Sequence, residues 1–262
     1  MPSETRPIQL GLCCLNTELR ARKPSVFASR TVILKTLADK GVDFLKDKIL
    51  QNLRDVLIIM DWNEENGIKV YRLSSEMFPH KSNPKATDYT FDFAKDLLKQ
   101  IGDKARLYNQ RLTFHPGQFN VLGSPHENVL LNTITGLDYH ASVLDLMGMD
   151  QNSVMVIHGG GTYGNKPETM QRWVDNYFRL PKCVQERLVI ENCEKCYNLE
   201  EVLYISTEVE KRGGTLPVVF DNHHYICYRQ LHPNEKIKSI RNLIPDVLKT
   251  WGNRRPVMHI SE

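Results

Sequence analysis

No apolar stretch in this 262-residue chain approaches the roughly 18–20 residues that a membrane-spanning helix needs. The opening Met1-Pro2-Ser3-Glu4-Thr5 has neither the positive nor the apolar region of a secretory signal. Both absences lead to the expectation of a soluble protein in a reducing, intracellular compartment. Such a compartment disfavours a disulfide framework for Cys13, Cys14, Cys183, Cys193, Cys196 and Cys227, and the Cys193 and Cys196 pair is expected as buried thiols. Cys193 and Cys196 have C-x-x-C spacing, but no second pair accompanies them, so neither a zinc ribbon nor a redox pair is the preferred reading. The 34 Lys and Arg against 31 Asp and Glu leave little net charge, which permits an anionic partner without requiring one. No Pro/Ser-rich linker, low-complexity tract or composition shift divides the chain, so residues 1–262 read as one domain. That length suits a single α/β barrel.

Seven short apolar runs are present, and each closes on a polar cluster: residues 8–15, 68–73, 111–114, 154–157, 188–190, 218–220 and 257–260. Segments with apolar residues at helical spacing lie between them, over about 29–60, 91–109, 125–147, 166–178, 199–211 and 235–251. Pro167 suits the first turn of its helix, and Gly213-Gly214 supplies a stop. Short Val- and Ile-rich strands alternating with helices predict a parallel sheet covered on both faces. Polar residues follow nearly every strand, which favours a closed TIM-type (β/α)8 barrel over an open sheet that gathers its site at one switch point. Only seven strand-helix units are readable, and the sequence stops at Glu262, directly after the seventh strand. The expectation is a barrel incomplete at its C-terminus, either part of a longer chain or irregular in its closure.

The clusters carry potential metal ligands. Phe114-His115-Pro116-Gly117-Gln118-Phe119 ends a strand in a sharp Pro-Gly turn that presents Gln118 and Phe119 at a rim. Val156-Ile157-His158-Gly159-Gly160-Gly161 sets a second histidine before glycines that allow either close approach to a ligand or a tight turn. Without a following Lys-Ser/Thr, those glycines are no Walker-type phosphate loop. Ile190-Glu191-Asn192 places a carboxylate at the end of an apolar strand, where it needs a metal or a basic partner. Phe220-Asp221-Asn222-His223-His224 offers Asp221 and His224 from one turn, with His223 read as a neighbour. Met258-His259-Ile260 adds another histidine, and His80, after Met77-Phe78-Pro79, is a further candidate. His126, His140 and His232 read as structural.

Mixed imidazole and carboxylate donors suit Mn²⁺, Zn²⁺ or Fe²⁺ better than Ca²⁺ or Mg²⁺. The candidates exceed what one tetrahedral ion uses, so two or three ions bridged by Glu191 and Asp221 are expected. Such clusters suit phosphodiester cleavage, and sugar isomerisation at a barrel mouth is the chemical rival.

The ordered runs Leu10-Gly11-Leu12-Cys13-Cys14-Leu15-Asn16, Arg72-Leu73-Ser74-Ser75-Glu76-Met77-Phe78-Pro79, Phe114-His115-Pro116-Gly117-Gln118-Phe119, Ile157-His158-Gly159-Gly160, Ile190-Glu191-Asn192 and Phe220-Asp221-Asn222-His223-His224 together resemble the UV damage endonuclease family, over almost the whole chain. The resemblance implies a TIM-type barrel related to endonuclease IV and a divalent-metal cluster, typically manganese. It implies incision of duplex DNA immediately 5′ to a cyclobutane pyrimidine dimer or 6-4 photoproduct, leaving a 3′-hydroxyl and a 5′-phosphate. By motif match His115, His158, Glu191, Asp221, His224 and His259 are the implied metal ligands, with His80 added to them. Glu191, Asp221 and His259 are the residues implied in catalysis. Gln118 and Phe119 match residues that wedge into DNA where the damaged dinucleotide leaves the stack, and Asn16 matches one that helps hold the lesion. A photodimer stacks and pairs poorly, so extruding it costs less than extruding normal bases.

There are departures from the family pattern. Leu12 stands where a tyrosine is common, and Val257 stands where a lysine is expected two residues before His259. The family also draws ligands, including a glutamate, from sequence beyond residue 262. The expected partner is UV-damaged double-stranded DNA, bound by a monomer in the cytoplasm or nucleoid of a prokaryote or the nucleus of a eukaryote. Alternatives are an abasic-site endonuclease of the endonuclease IV type, a metal-dependent sugar isomerase or epimerase, and a non-catalytic lesion-binding protein.

Overall fold

The computed structural model describes residues 7–86 and 88–260. Met1 to Thr5, and the end of the seventh polar cluster at Ser261 and Glu262, lie outside the described residues. The chain groups into two units, Met1–His115 with Val143–Ser153, and Pro116–Ser142 with Val154–Glu262.

The first unit contains three parallel strands, β1 (Gly11–Cys13), β2 (Val70–Leu73) and β3 (Arg111–Phe114). Gly11 pairs with Val70, which in turn pairs with Arg111, so the strand ends stay level. A short helix, α1 (Thr17–Ala21), follows β1, and the long α2 (Leu34–Glu65) returns the chain to β2. Leu45, Ile49, Leu53, Val56 and Met60 recur at helical spacing along α2 and are all fully buried. Each contributes about 1.5–3 kcal/mol by leaving water. Gly41 interrupts the helix with φ 79° and ψ 175°, a conformation that a side chain disfavours. A 3-10 turn over Asp92–Ala94 leads into α3 (Lys95–Leu107). Gly102 on α3 lets the Met147 backbone approach so closely that a Cβ there would lie 1.7 Å from the Met147 carbonyl oxygen.

The second unit contains four parallel strands, β4 (Met155–His158), β5 (Leu188–Glu191), β6 (Val218–Asp221) and β7 (Met258–His259). Helix α4 (Glu127–Leu146) precedes β4, and α5 (Lys166–Tyr177) and α6 (Lys182–Gln185) lie between β4 and β5. Helix α7 (Leu199–Lys211) joins β5 to β6, and α8 (Asn222–Leu231) and α9 (Ile240–Thr250) join β6 to β7. Asn198 caps α7 through a reciprocal box with Glu201.

Alternate residues of a strand face the same side of the sheet. Val154, Val156, Val189 and Val219 therefore share a face and form one buried cluster with Trp251, against which Val257 packs. Trp251 donates its indole N–H to the Val218 carbonyl at 2.8 Å, satisfying its one polar atom. Continuing the same alternation to the strand tips gives His158, Glu191, Asp221 and His259. The valines are the dry floor of the site, and the four polar residues are its surface.

Most elements fall where the sequence puts them. The expected helix over 235–251 begins only at Ile240, and α1, α6 and α8 were not anticipated. All six cysteines are free thiols; of the Cys193 and Cys196 pair expected as buried, Cys193 is buried and Cys196 half-buried. Burial and the neighbouring Cys193 push the Cys196 thiol up, so it stays protonated near neutral pH.

Candidate metal centre

Glu191 is fully buried at the tip of β5, and strand register sets His158 beside it on β4. His158 Nε2 lies 3.5 Å from Glu191 Oε2, and His259 Nδ1 hydrogen-bonds Glu191 Oε1. The carboxylate is thus held between two imidazoles, one from the adjacent β4 and one from β7, the strand beyond β6. Register also pairs Asp221 with His259, and His259 Nδ1 is 3.9 Å from Asp221 Oδ2.

His224 arrives from the first turn of α8. Asp221 caps that helix by accepting the His224 backbone N–H at 2.8 Å, so the same carboxylate orders the turn that delivers the histidine. His224 Nδ1 meets the Asn192 carbonyl at 2.9 Å. A carbonyl only accepts, so Nδ1 carries the proton and Nε2 keeps the lone pair. Histidines that ligate metals are commonly oriented in this way. His158, Glu191 and His224 each offer a donor atom within 4.8 Å of the others, and the His158 and His224 rings are 5.1 Å apart. A carboxylate buried among imidazoles is a donor set that fits a divalent transition ion.

Asn192 is a residue the sequence did not single out. It is fully buried, and its side chain donates to the Asp221 carbonyl at 3.0 Å and accepts from the Asp221 N–H at 2.9 Å. Glu194 was also missed: its Oε2 lies 3.8 Å from His224 Nε2. Their only sequence signal is proximity to Glu191. Val257, where the resemblance leads one to expect a lysine, instead joins the apolar floor.

His115 follows β3 in the first unit, and its carbonyl accepts from Ser75 Oγ at 2.8 Å. His80 has φ 64°, and both ring nitrogens are occupied: Nε2 meets the Val32 carbonyl at 2.5 Å, and Nδ1 lies 3.3 Å from Asn83 Nδ2. With Nε2 donating to the Val32 carbonyl, the Nδ1 lone pair faces the Asn83 amide, which an ion at His80 would have to displace. Asn16 caps α1 by accepting the Leu19 N–H at 2.9 Å, while its Nδ2 is buried with no hydrogen-bond partner among the described residues. Gln118 and Phe119 are exposed at the tip of a turn closed by two bonds to the Gly117 carbonyl, from the Asn120 N–H at 3.1 Å and Asn120 Nδ2 at 2.8 Å. Phe119 is 83% exposed.

Parallel strands with polar tips, β1 to β6 each leading into helix, define the class: a TIM-type barrel protein. The solved structure described as SacUVDE has this fold, matching with a TM-score of 0.84 at 30% identity over 98% of this chain and 81% of that one. The family model described as UV-endonuclease UvdE matches residues 8–262, and the chain belongs to that family. A protein provisionally named UV-damage endonuclease from Acanthamoeba polyphaga mimivirus is 38% identical over 97% of this chain and 75% of its own length. The UV-damage endonuclease of Schizosaccharomyces pombe is 37% identical over 94% of this chain, which spans only 41% of that fungal protein. Among the described residues no helix is long and apolar enough to cross a membrane.

Proposed function

We propose that this chain is a metal-dependent DNA endonuclease that incises duplex DNA immediately 5′ to UV photoproducts, leaving a 3′-hydroxyl and a 5′-phosphate. The observation that carries the reading is the buried Glu191 carboxylate between His158 and His259, in a chain of the UV-endonuclease family. The proposed ligands are His158, Glu191, Asp221, His224 and His259, with His115 added by motif match. His80 is left out because its ring is engaged elsewhere. Two or three Mn²⁺ ions are the proposed cofactor. Bound there, divalent ions supply positive charge to the phosphate and lower the pKa of water.

The protein's own part is preorganisation. Glu191 and Asp221 present oxygens from rigid strand tips, and Asn192 fixes both the Asp221 backbone and, through its carbonyl, the His224 tautomer. Phe119 is proposed to fill the gap left when the damaged dinucleotide leaves the stack, with Gln118 beside it; stacking on an aromatic is worth about 1–3 kcal/mol per base. Asn16 is carried into the proposal by motif match, as a residue beside the lesion.

An oligonucleotide duplex carrying one cyclobutane pyrimidine dimer, incubated with the full-length protein and Mn²⁺, tests the reading. Incision 5′ to the dimer, absent with Glu191→Gln, is the expected result. No incision by a metal-loaded preparation overturns it, and preferential cutting at an abasic site assigns the chain to the endonuclease IV type of activity.

A further inference from the structure

Helix α8 carries a second pair of donor atoms that the strand-tip site does not use. His223 Nε2 and Cys227 Sγ are 3.5 Å apart, one helical turn from each other. We propose that His223 and Cys227 form a two-residue site for a thiophilic divalent ion such as Zn²⁺ or Cd²⁺.

The separation is the first argument. A tetrahedral Zn²⁺ with bonds of about 2.05 Å to nitrogen and about 2.3 Å to sulfur holds the two donors about 3.6 Å apart. The side chains already stand at that bite, so binding requires little rearrangement. Accessibility is the second: His223 is exposed and Cys227 half-buried, whereas Tyr225 and Tyr228 turn inward and anchor the helix. Asp221 fixes the first turn, which limits the freedom His223 would lose on binding. Donor chemistry is the third. The strand-tip cluster offers only nitrogen and oxygen, which suits Mn²⁺, while a thiolate with an imidazole selects softer ions. The His223 and His224 rings are 6.4 Å apart, so the two sites are neighbours with different preferences. On binding, the Cys227 S–H bond breaks, its proton passes to the buffer, a sulfur–metal bond forms and nothing is oxidised.

The proposal does not depend on endonuclease activity, and its test needs none. The metal-free full chain is titrated with Cd²⁺ under reducing conditions while ultraviolet thiolate-to-metal charge-transfer absorbance is followed, beside Cys227→Ser and His223→Ala. Circular dichroism confirms that each variant is folded. The expected result is an absorbance increment that Cys227→Ser lacks and that His223→Ala develops only at a Cd²⁺ concentration at least about tenfold higher. Identical wild-type and Cys227→Ser titrations overturn the site, because the signal then comes from other thiols. An unchanged midpoint in His223→Ala overturns the pairing.

Discussion

Asn192 and Asp221 are locked together by two hydrogen bonds between one amide side chain and one peptide backbone, at 3.0 and 2.9 Å. Both residues are buried, so neither bond has water as a ready substitute. The same Asp221 carboxylate starts α8 and faces His259, so this clamp fixes the tip of β6 in relation to two other candidate ligands, His224 and His259.

Asn192→Ala should therefore lose about 2–4 kcal/mol, from a buried N–H and a buried C=O left unmet. It should also weaken Mn²⁺ binding about 10–100-fold, the usual effect of removing a group that orients a ligand. Denaturant midpoints and metal titration measure the two separately. Asn192→Asp should be worse, since an acceptor would then face the Asp221 carbonyl. Wild-type Mn²⁺ affinity in a folded Asn192→Ala protein would count against the clamp as an orienting device.

Phe119→Ala should leave stability within about 0.5 kcal/mol of wild type, because the ring is on the surface. If the ring plugs the stack, incision at a pyrimidine dimer should fall about 10–100-fold. Thermal melting and single-turnover cleavage are the two measurements. Unchanged cleavage would remove Phe119 from the proposed DNA contact.

Gly102→Ala should destabilise the protein even though alanine is the better helix former by about 1 kcal/mol. The added methyl would fall 1.7 Å from a backbone oxygen that no rotamer change can move away. Relieving that overlap requires backbone movement, at a cost of about 1–3 kcal/mol or more. A fall in urea midpoint is expected, and a rise would mean that the Met147 backbone yields easily.

Acid should destabilise the fold partly through His140. It is buried on α4 with Nδ1 2.6 Å from the Gly136 carbonyl, and burial pulls its pKa down to about 4 from 6.5. The unfolded chain therefore takes up the proton first. The stability associated with neutral His140 is complete above about pH 6.5 and is lost as pH falls towards about 4, amounting to about 3 kcal/mol. His140→Asn can keep a donor near the Nδ1 position but does not titrate. Denaturation at pH 7.5 and 4.5 should show a smaller acid loss in the variant, and equal losses would refute this assignment.

Strand tips were legible in the sequence because buried parallel strands read as plain apolar runs and a charged residue at their end is conspicuous. Glu191 and Asp221 stand out for that reason. Residue 111–114 and 199–211 segments matched their elements closely, since each has a clear periodic signal and a clean stop. Helix α8 was missed because Asp221-Asn222-His223-His224 serves both as the end of a strand and as the start of a helix, and the first role hides the second. Asn192 escaped notice because its partners lie 29 residues away, a relationship no local pattern encodes. His80 shows the reverse: its residue type suits a metal, but the fold turns its ring towards the Val32 carbonyl.

The face shared by Val154, Val156, Val189 and Val219 has a consequence for the charges above it. Those side chains cannot reorient to screen a field, so permittivity beneath Glu191 stays low. An ion at the strand tips would be felt there more strongly than on an open surface. Widening the valine layer far from any ligand would admit water and weaken that field, so the chemistry at the mouth depends on methyl groups that never touch it.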